Sequence, residues 1–315
     1  MKPMVRITDV SPRDGLQNEQ SLVPTEKKVE LVRRLIAANC DEIEITSFVS
    51  PKWIPQLADA AEVLAAVAVE KPAGMCFSVL VPNERGMQGA IETNQRLAAR
   101  VIDKISVFTA ASETFARKNT NATIAETLQR FEPVIAGARR ERLLTRGYVS
   151  CAVQCPFEGP IAPSAVADVC ARLLELGVDE LDVADTIGVG TPETVGVMLE
   201  AVIERIGGAN LPRLTLHMHD TFGHAGACVQ RALDLGVRSF DGSAGGLGGC
   251  PYAGTPERRA PGNIATELLI AAIESHGFAT RVDRAALAEA GAFARRLILG
   301  QGNKETMEPG NKGRE

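Results

Sequence analysis

Two histidines one residue apart, His217-Met218-His219, are the sharpest chemical signal in this chain. The run Leu214–Asp220 that contains them reads as a strand. Side chains alternate along a strand, so both imidazoles project from one face and Met218 from the other. Paired imidazoles at a strand end make half of a metal site. Three of the four histidines fall between positions 217 and 224. The competing reading is a pair of buried, hydrogen-bonded core histidines. Asp14 and Asn263 can add oxygen ligands. Such a mixed set suits Mg2+ or Mn2+ with positions open to substrate, whereas a structural zinc prefers thiolates and four closed ligands.

Cys250 stands in the glycine-rich run Gly245-Gly246-Leu247-Gly248-Gly249-Cys250-Pro251. One thiol on a flexible loop suits a movable acid, base or nucleophile, against the alternative of a small apolar residue in a tight turn. The run lacks the Lys-Ser/Thr of a phosphate-binding loop. Glu44 is a carboxylate inside an otherwise apolar strand and needs a partner, for which Arg13 is the candidate. Lys104 lies near the start of its strand, away from the end where chemistry is expected, which weakens a Schiff-base reading. Asp220 is expected to serve the following helix N-terminus or to support the metal ligands, and His224 to lie in that helix's first turn at the surface.

Strand-like and helix-like segments alternate from end to end. The strands are read at Val5–Val10, Glu42–Ser47, Phe77–Val81, Ile102–Phe108, Leu144–Val153, Glu180–Asp185, Leu214–Asp220 and Ser239–Ala244. Their helices are read at Thr25–Asn39, with Thr25 as N-cap, Ala58–Val69, Glu84–Ala98, Ile124–Arg140, Ala165–Leu176, Pro192–Ile206, His224–Leu235 and Asn263–Ser275. Eight such units predict one (β/α)8 TIM barrel spanning residues 1–300, with a doubly wound sheet as the alternative. A further outer helix is expected at Arg284–Leu297, and the polar tail at 301–315 is expected to be loose. In such a barrel the chemistry lies just after the strands. The segment Ser11–Gln17, Ser47-Phe48, Asp185-Thr186, His217–Asp220 and Cys250 all fall there.

A net charge of −5 with interspersed signs argues against nucleic-acid binding, and the short apolar runs against a membrane span. Strand-like sequence from Val5 leaves no room for a signal or transit peptide, so a cytoplasmic location is expected. Seven cysteines without metal-type C-x-x-C pairs read as reduced thiols. A homo-oligomer, dimer or larger, is the expected assembly.

Assembled, the motifs resemble the hydroxymethylglutaryl-CoA lyase family. Pro12-Arg13-Asp14-Gly15-Leu16-Gln17-Asn18-Glu19 and Thr46-Ser47-Phe48-Val49-Ser50-Pro51-Lys52-Trp53 look like its first two barrel loops. Arg146-Gly147-Tyr148-Val149-Ser150-Cys151 and Asp185-Thr186-Ile187-Gly188-Val189-Gly190 look like its fifth and sixth strands. His217-x-His219-Asp220-Thr221, Gly246–Tyr252 and Gly262–Glu267 complete a match running from about Val5 to beyond Glu267.

The resemblance implies cleavage of 3-hydroxy-3-methylglutaryl-CoA to acetyl-CoA and acetoacetate. Asp14, His217, His219 and Asn263 would hold a divalent cation, Mg2+ or Mn2+. Asp185 or a metal-bound water would be the base, Arg13 would stabilise the enolate oxygen, and Cys250 would protonate its carbon. Glu44 joins this catalytic set. Gln17, Ser47, Arg146 and Tyr148, with Arg13, would bind the acyl-CoA substrate.

Three features depart from the family pattern. The segment Ala253–Pro261 is longer and more charged than expected, and Leu268 replaces an acidic residue. Asp182 stands where a small polar residue is expected, and unless protonated or paired it would repel a substrate carboxylate. Rival readings are a condensing enzyme of the isopropylmalate or homocitrate synthase type, and the same lyase chemistry on citramalyl-CoA or a longer branched 3-hydroxyglutaryl-CoA. The former chains carry a substantial C-terminal region beyond the barrel. A metal-bound scaffold without turnover is disfavoured by Cys250, Arg13 and the four ligand candidates.

Overall fold

A computed structural model of the chain describes residues 2–19, 21–97, 100–249 and 262–299. Cys250, the segment 253–261 and the tail 301–315 lie outside the described residues. Among the described residues, eight strands close into a parallel barrel: β1 Arg6–Asp9, β2 Glu42–Ser47, β3 Cys76–Leu80, β4 Lys104–Ala110, β5 Leu144–Ser150, β8 Glu180–Asp185, β9 Leu214–Met218 and β10 Ser239–Gly242. β6 Gln154–Cys155 and β7 Gly159–Pro160 form a small hairpin after β5. The helices are α1 Thr25–Ala37, α2 Ala60–Val67, α3 Glu84–Arg96, α4 Glu113–Thr120, α5 Ile124–Arg140, α6 Pro163–Leu176, α7 Pro192–Ile206, α8 Ala225–Asp234, α9 Thr266–Ser275 and α10 Arg284–Leu299.

The strands carry two kinds of side chain in alternation, which explains why both faces are buried. In β2, Ile43 and Ile45 join the apolar layer under the helices, while Glu42 and Glu44 point to the barrel axis. In β5, a Cβ on Gly147 would meet Leu173 of α6 at 3.0 Å, so that position faces the helices. Arg146 and Tyr148 therefore face the axis. The lower barrel is filled by ions rather than by the usual branched aliphatics. Lys104 Nζ lies 2.6 Å from both Glu42 and Glu180, and Arg146 reaches Glu42, Glu180 and Asp241. Such groups tolerate burial only when paired.

Helix starts follow local chemistry. Thr123 and Glu126 form a reciprocal capping box ahead of α5, and Pro192 occupies the first turn of α7. Several boundaries differ from the sequence reading, two of them for a visible local reason. Pro24, not Thr25, caps α1, because the Thr25 hydroxyl donates to Asp59 instead. The last barrel helix begins at Thr266, since Asn263 forms a bridge with His219 before the chain turns helical. The helix α4, started by a Ser112 side-chain cap, and the β6–β7 hairpin were not read from sequence.

Candidate active site

The C-terminal ends of β1, β9 and β10 converge on one cluster. Asp14, His217 and His219 each offer a ligand atom, all within 4.8 Å of one another. The strand alternation places both histidines inward, with ring centroids 5.4 Å apart, and buries Met218 in the apolar layer. Asp14 is delivered by a wide helical turn, Ser11–Gly15. Gly15 permits the close approach this needs, since a Cβ there would meet Leu247 Cβ at 2.9 Å.

Asn263 completes the set. Its Nδ2 donates to Leu247 O and to Asp14 Oδ2, both at 2.9 Å, which fixes the amide and leaves Oδ1 as a buried acceptor with no donor among the described residues. His219 Nδ1 is likewise buried without a hydrogen-bond partner. Burial, and then His217, pulls the His219 pKa down to about 4, so the ring is neutral at pH 7. Burial opposes ionisation of Asp14, but Arg13 and the two histidines outweigh it and hold this carboxyl below its usual range. A neutral His219 imidazole, the His217 ring beside it, a carboxylate held below its usual range and an orphaned amide oxygen are the donor set of an oxygen-and-nitrogen cation site. The residues fit a divalent metal.

Arg13 and Glu44 are paired as expected: Arg13 Nε and Nη2 lie 2.6 and 2.5 Å from Glu44 Oε2, and Nη1 lies 2.6 Å from Asp14 Oδ1. Three N–H groups are engaged in this way, which leaves two of the guanidinium's five to point elsewhere. Gln17 donates to Asp14 Oδ1 at 3.2 Å. Ser47 is buried at the end of β2, where its hydroxyl accepts from Val49 N. The Tyr148 hydroxyl sits 3.3 Å from Glu44 and 3.2 Å from Asp241, and its ring lies beneath Arg13.

Asp185 closes β8 with Oδ2 accepting from Gly190 N at 2.6 Å and Oδ1 buried without a donor. Burial raises its pKa, and backbone N–H groups of residues 188–190 offset this in part. A carboxylate with a free oxygen and a raised pKa suits a general base.

Two sequence expectations change in the structure. Arg146 is fully enclosed among Glu42, Glu180, Asp182 and Asp241, so no face of it is open to substrate, and it meets Tyr148 and Asp241 beneath the site. Asp182 lies 3.6 Å from Arg146. Burial, and then Asp241 beside it, raises its pKa well above the usual range, which works against the expected like-charge penalty. Lys104 belongs to the ion cluster at the opposite end of the barrel. Asp220 caps α8 by accepting from Ala225 N, and His224 is exposed at that helix's start. Asp241 was missed in the sequence, although a charged residue between Phe240 and Gly242 in an otherwise buried strand marks an inward position.

The family model described as HMGL-like matches residues 4–293. The chain is 45% identical over 289 residues to the mitochondrial hydroxymethylglutaryl-CoA lyase of Bos taurus, covering 92% of this chain and 84% of that protein. It is also similar to the crystal structure of the HMG-CoA lyase from Brucella melitensis. The TM-score is 0.85 and the identity 44%, with 94% and 99% of the two chains covered. A third relative is the HMG-CoA lyase of Acinetobacter baumannii, solved in complex with coenzyme A and 3-methylmalate. The TM-score there is 0.83, the identity 32%, and 98% of each chain is covered. With its closed parallel barrel and near-complete alignment, the chain belongs to the HMGL-like family.

Proposed function

We propose that this chain is a hydroxymethylglutaryl-CoA lyase, a carbon–carbon lyase that releases acetyl-CoA and acetoacetate. The observation that carries the reading is the convergence of Asp14, His217, His219 and the orphaned Asn263 oxygen beside the Arg13–Glu44 pair. These four residues would hold a divalent cation, Mg2+ or Mn2+, whose charge lowers the pKa of the substrate's 3-hydroxyl. Asp185 accepts the hydroxyl proton. As C3 becomes a carbonyl, the C2–C3 bond breaks and its electron pair passes into the enolate of acetyl-CoA. The two remaining Arg13 N–H groups stabilise that enolate oxygen, in a site dry enough for the charge to count. Glu44 holds Arg13 in place. Cys250 then gives its proton to the enolate carbon as general acid.

An acyl-CoA partner is supported by the coenzyme A bound to the Acinetobacter relative. Among the described residues no helix is long and apolar enough to cross a membrane. The test is acetyl-CoA release across hydroxymethylglutaryl-CoA, citramalyl-CoA and longer branched 3-hydroxyacyl-CoAs. Hydroxymethylglutaryl-CoA is expected to give the highest kcat/KM. Release from another ester alone would move the substrate, and release from none would overturn the assignment.

A further inference from the structure

We propose that Asp241 is the positioning residue for His217, accepting its Nδ1–H so that the opposite ring nitrogen is the one offered to the cation. The inference rests on the metal reading above. Asp241 and His217 are direct partners in the register of β10 and β9. Asp241 Oδ2 lies 3.4 Å from His217 Nδ1. The same carboxylate takes the Tyr148 hydroxyl at 3.2 Å and Arg146 Nη1 at 3.1 Å. Both of these neighbours are donors, so they fix Asp241 in place as an acceptor. The Tyr148 ring also meets His217 edge-on, with planes at 89° and centroids 6.3 Å apart, which limits rotation of the imidazole.

A neutral imidazole carries one proton, and the nitrogen facing an acceptor keeps it. The bare nitrogen then points away from Asp241. Partners of this kind orient metal-ligating histidines and typically change metal affinity by about 10–100-fold when removed. Among the described residues His219 has no equivalent, because its Nδ1 meets no partner there. The two histidines are therefore held differently, His217 by Asp241 and His219 by packing and the backbone bridge to Asn263.

Two measurements on the intact protein test this. Nitrogen-15 NMR of histidine-labelled, metal-free wild type should show His217 as the Nδ1–H tautomer. Mn2+ titration followed by electron paramagnetic resonance should show an affinity loss of about 10–100-fold in Asp241→Asn, with His217 moved towards the Nε2–H form. A wild-type His217 protonated on Nε2 overturns the proposal. So does an Asp241→Asn variant that melts cooperatively and binds Mn2+ within about twofold of wild type. If that variant fails to fold, the wild-type tautomer alone decides. A wild type that binds no Mn2+ removes the metal reading itself and this inference with it.

Discussion

Replacing Lys104 with methionine should destabilise the protein by several kcal/mol and leave its chemistry nearly untouched. Lys104 Nζ lies 2.6 Å from Glu42 and from Glu180, and the side chain is fully buried. Burial disfavours the ionised form of Glu180, yet Arg146 and Lys104 outweigh it and draw that carboxyl down to about 2. A drop of this size from an ordinary glutamate corresponds to about 3 kcal/mol of ion pairing, shared among Arg146, Lys104 and Arg6. Breaking one partner of a buried pair typically costs about 3–5 kcal/mol, because the remaining charge stays desolvated. In a chain this long each kcal/mol lowers Tm by about 1.5–2 °C, so the expected drop is about 5–10 °C. The sign with pH follows from the depressed carboxyl. Its stabilisation is full above the usual glutamate range and is lost as pH falls towards 2, so the deficit of the variant should shrink in acid. Calorimetry at pH 7 and pH 4, with acetyl-CoA release at 25 °C, provides the assay. A variant with wild-type Tm that loses activity 100-fold, or a lysine trapped by borohydride during turnover, would refute the structural account.

Chelation should abolish activity, with Mg2+ or Mn2+ restoring it, and His219→Ala should lower bound metal as well as rate; full activity in chelator sinks the cation site. Cys250→Ala should reduce turnover by about 10²–10⁴ while metal affinity is retained, the range for a lost general acid. Because burial raises the Asp185 pKa, the acid limb of kcat/KM should lie above the ordinary aspartate range and should be absent from the residual activity of Asp185→Asn. Because burial and then Asp241 raise the Asp182 pKa, Asp182→Ser should remove little charge from the site. Selectivity across the acyl-CoA panel should therefore change by less than about tenfold, and a larger gain for hydroxymethylglutaryl-CoA would show that Asp182 carries charge.

The barrel was legible because alternation and helix periodicity repeat through the whole chain. The strand Glu180–Asp185 and the helices Ile124–Arg140 and Pro192–Ile206 were read to the residue, two of them behind strong caps. The paired histidines were legible for the same reason, since a period of two dictates their common face. Depth within the barrel was not. Arg146 and Tyr148 sit two residues apart on one face, and nothing local tells which layer meets substrate and which meets four carboxylates. Which side of the Asp182 condition applies rests on long-range facts: its burial, and then the approach of Asp241 and Arg146, come about only when the strands close. Helix α4 was missed because one helix per strand satisfied the pattern and Glu113–Thr120 is short and mostly polar, burying only Phe115 and Ala116.

The two halves of the barrel interior form one electrostatic system. Among the described residues, six inward carboxylates, Asp14, Glu42, Glu44, Glu180, Asp182 and Asp241, meet three enclosed cations, Arg13, Lys104 and Arg146, with the half-exposed Arg6 at the lower rim. Tyr148 joins the lower group to the upper one by reaching both Glu44 and Asp241. The buried carboxylates outnumber the buried cations, and an unpaired charge is not sustainable in a low-dielectric interior. Burial, and then Asp241, raises the pKa of Asp182, which favours keeping its proton. Asp14 stands at the upper end, sharing Arg13 with Glu44 and facing two imidazoles and an amide oxygen that has no donor among the described residues. The same ion pairs that satisfy the core thus leave the least compensated carboxylate where a divalent cation would be held, which ties the stability of the barrel to its chemistry.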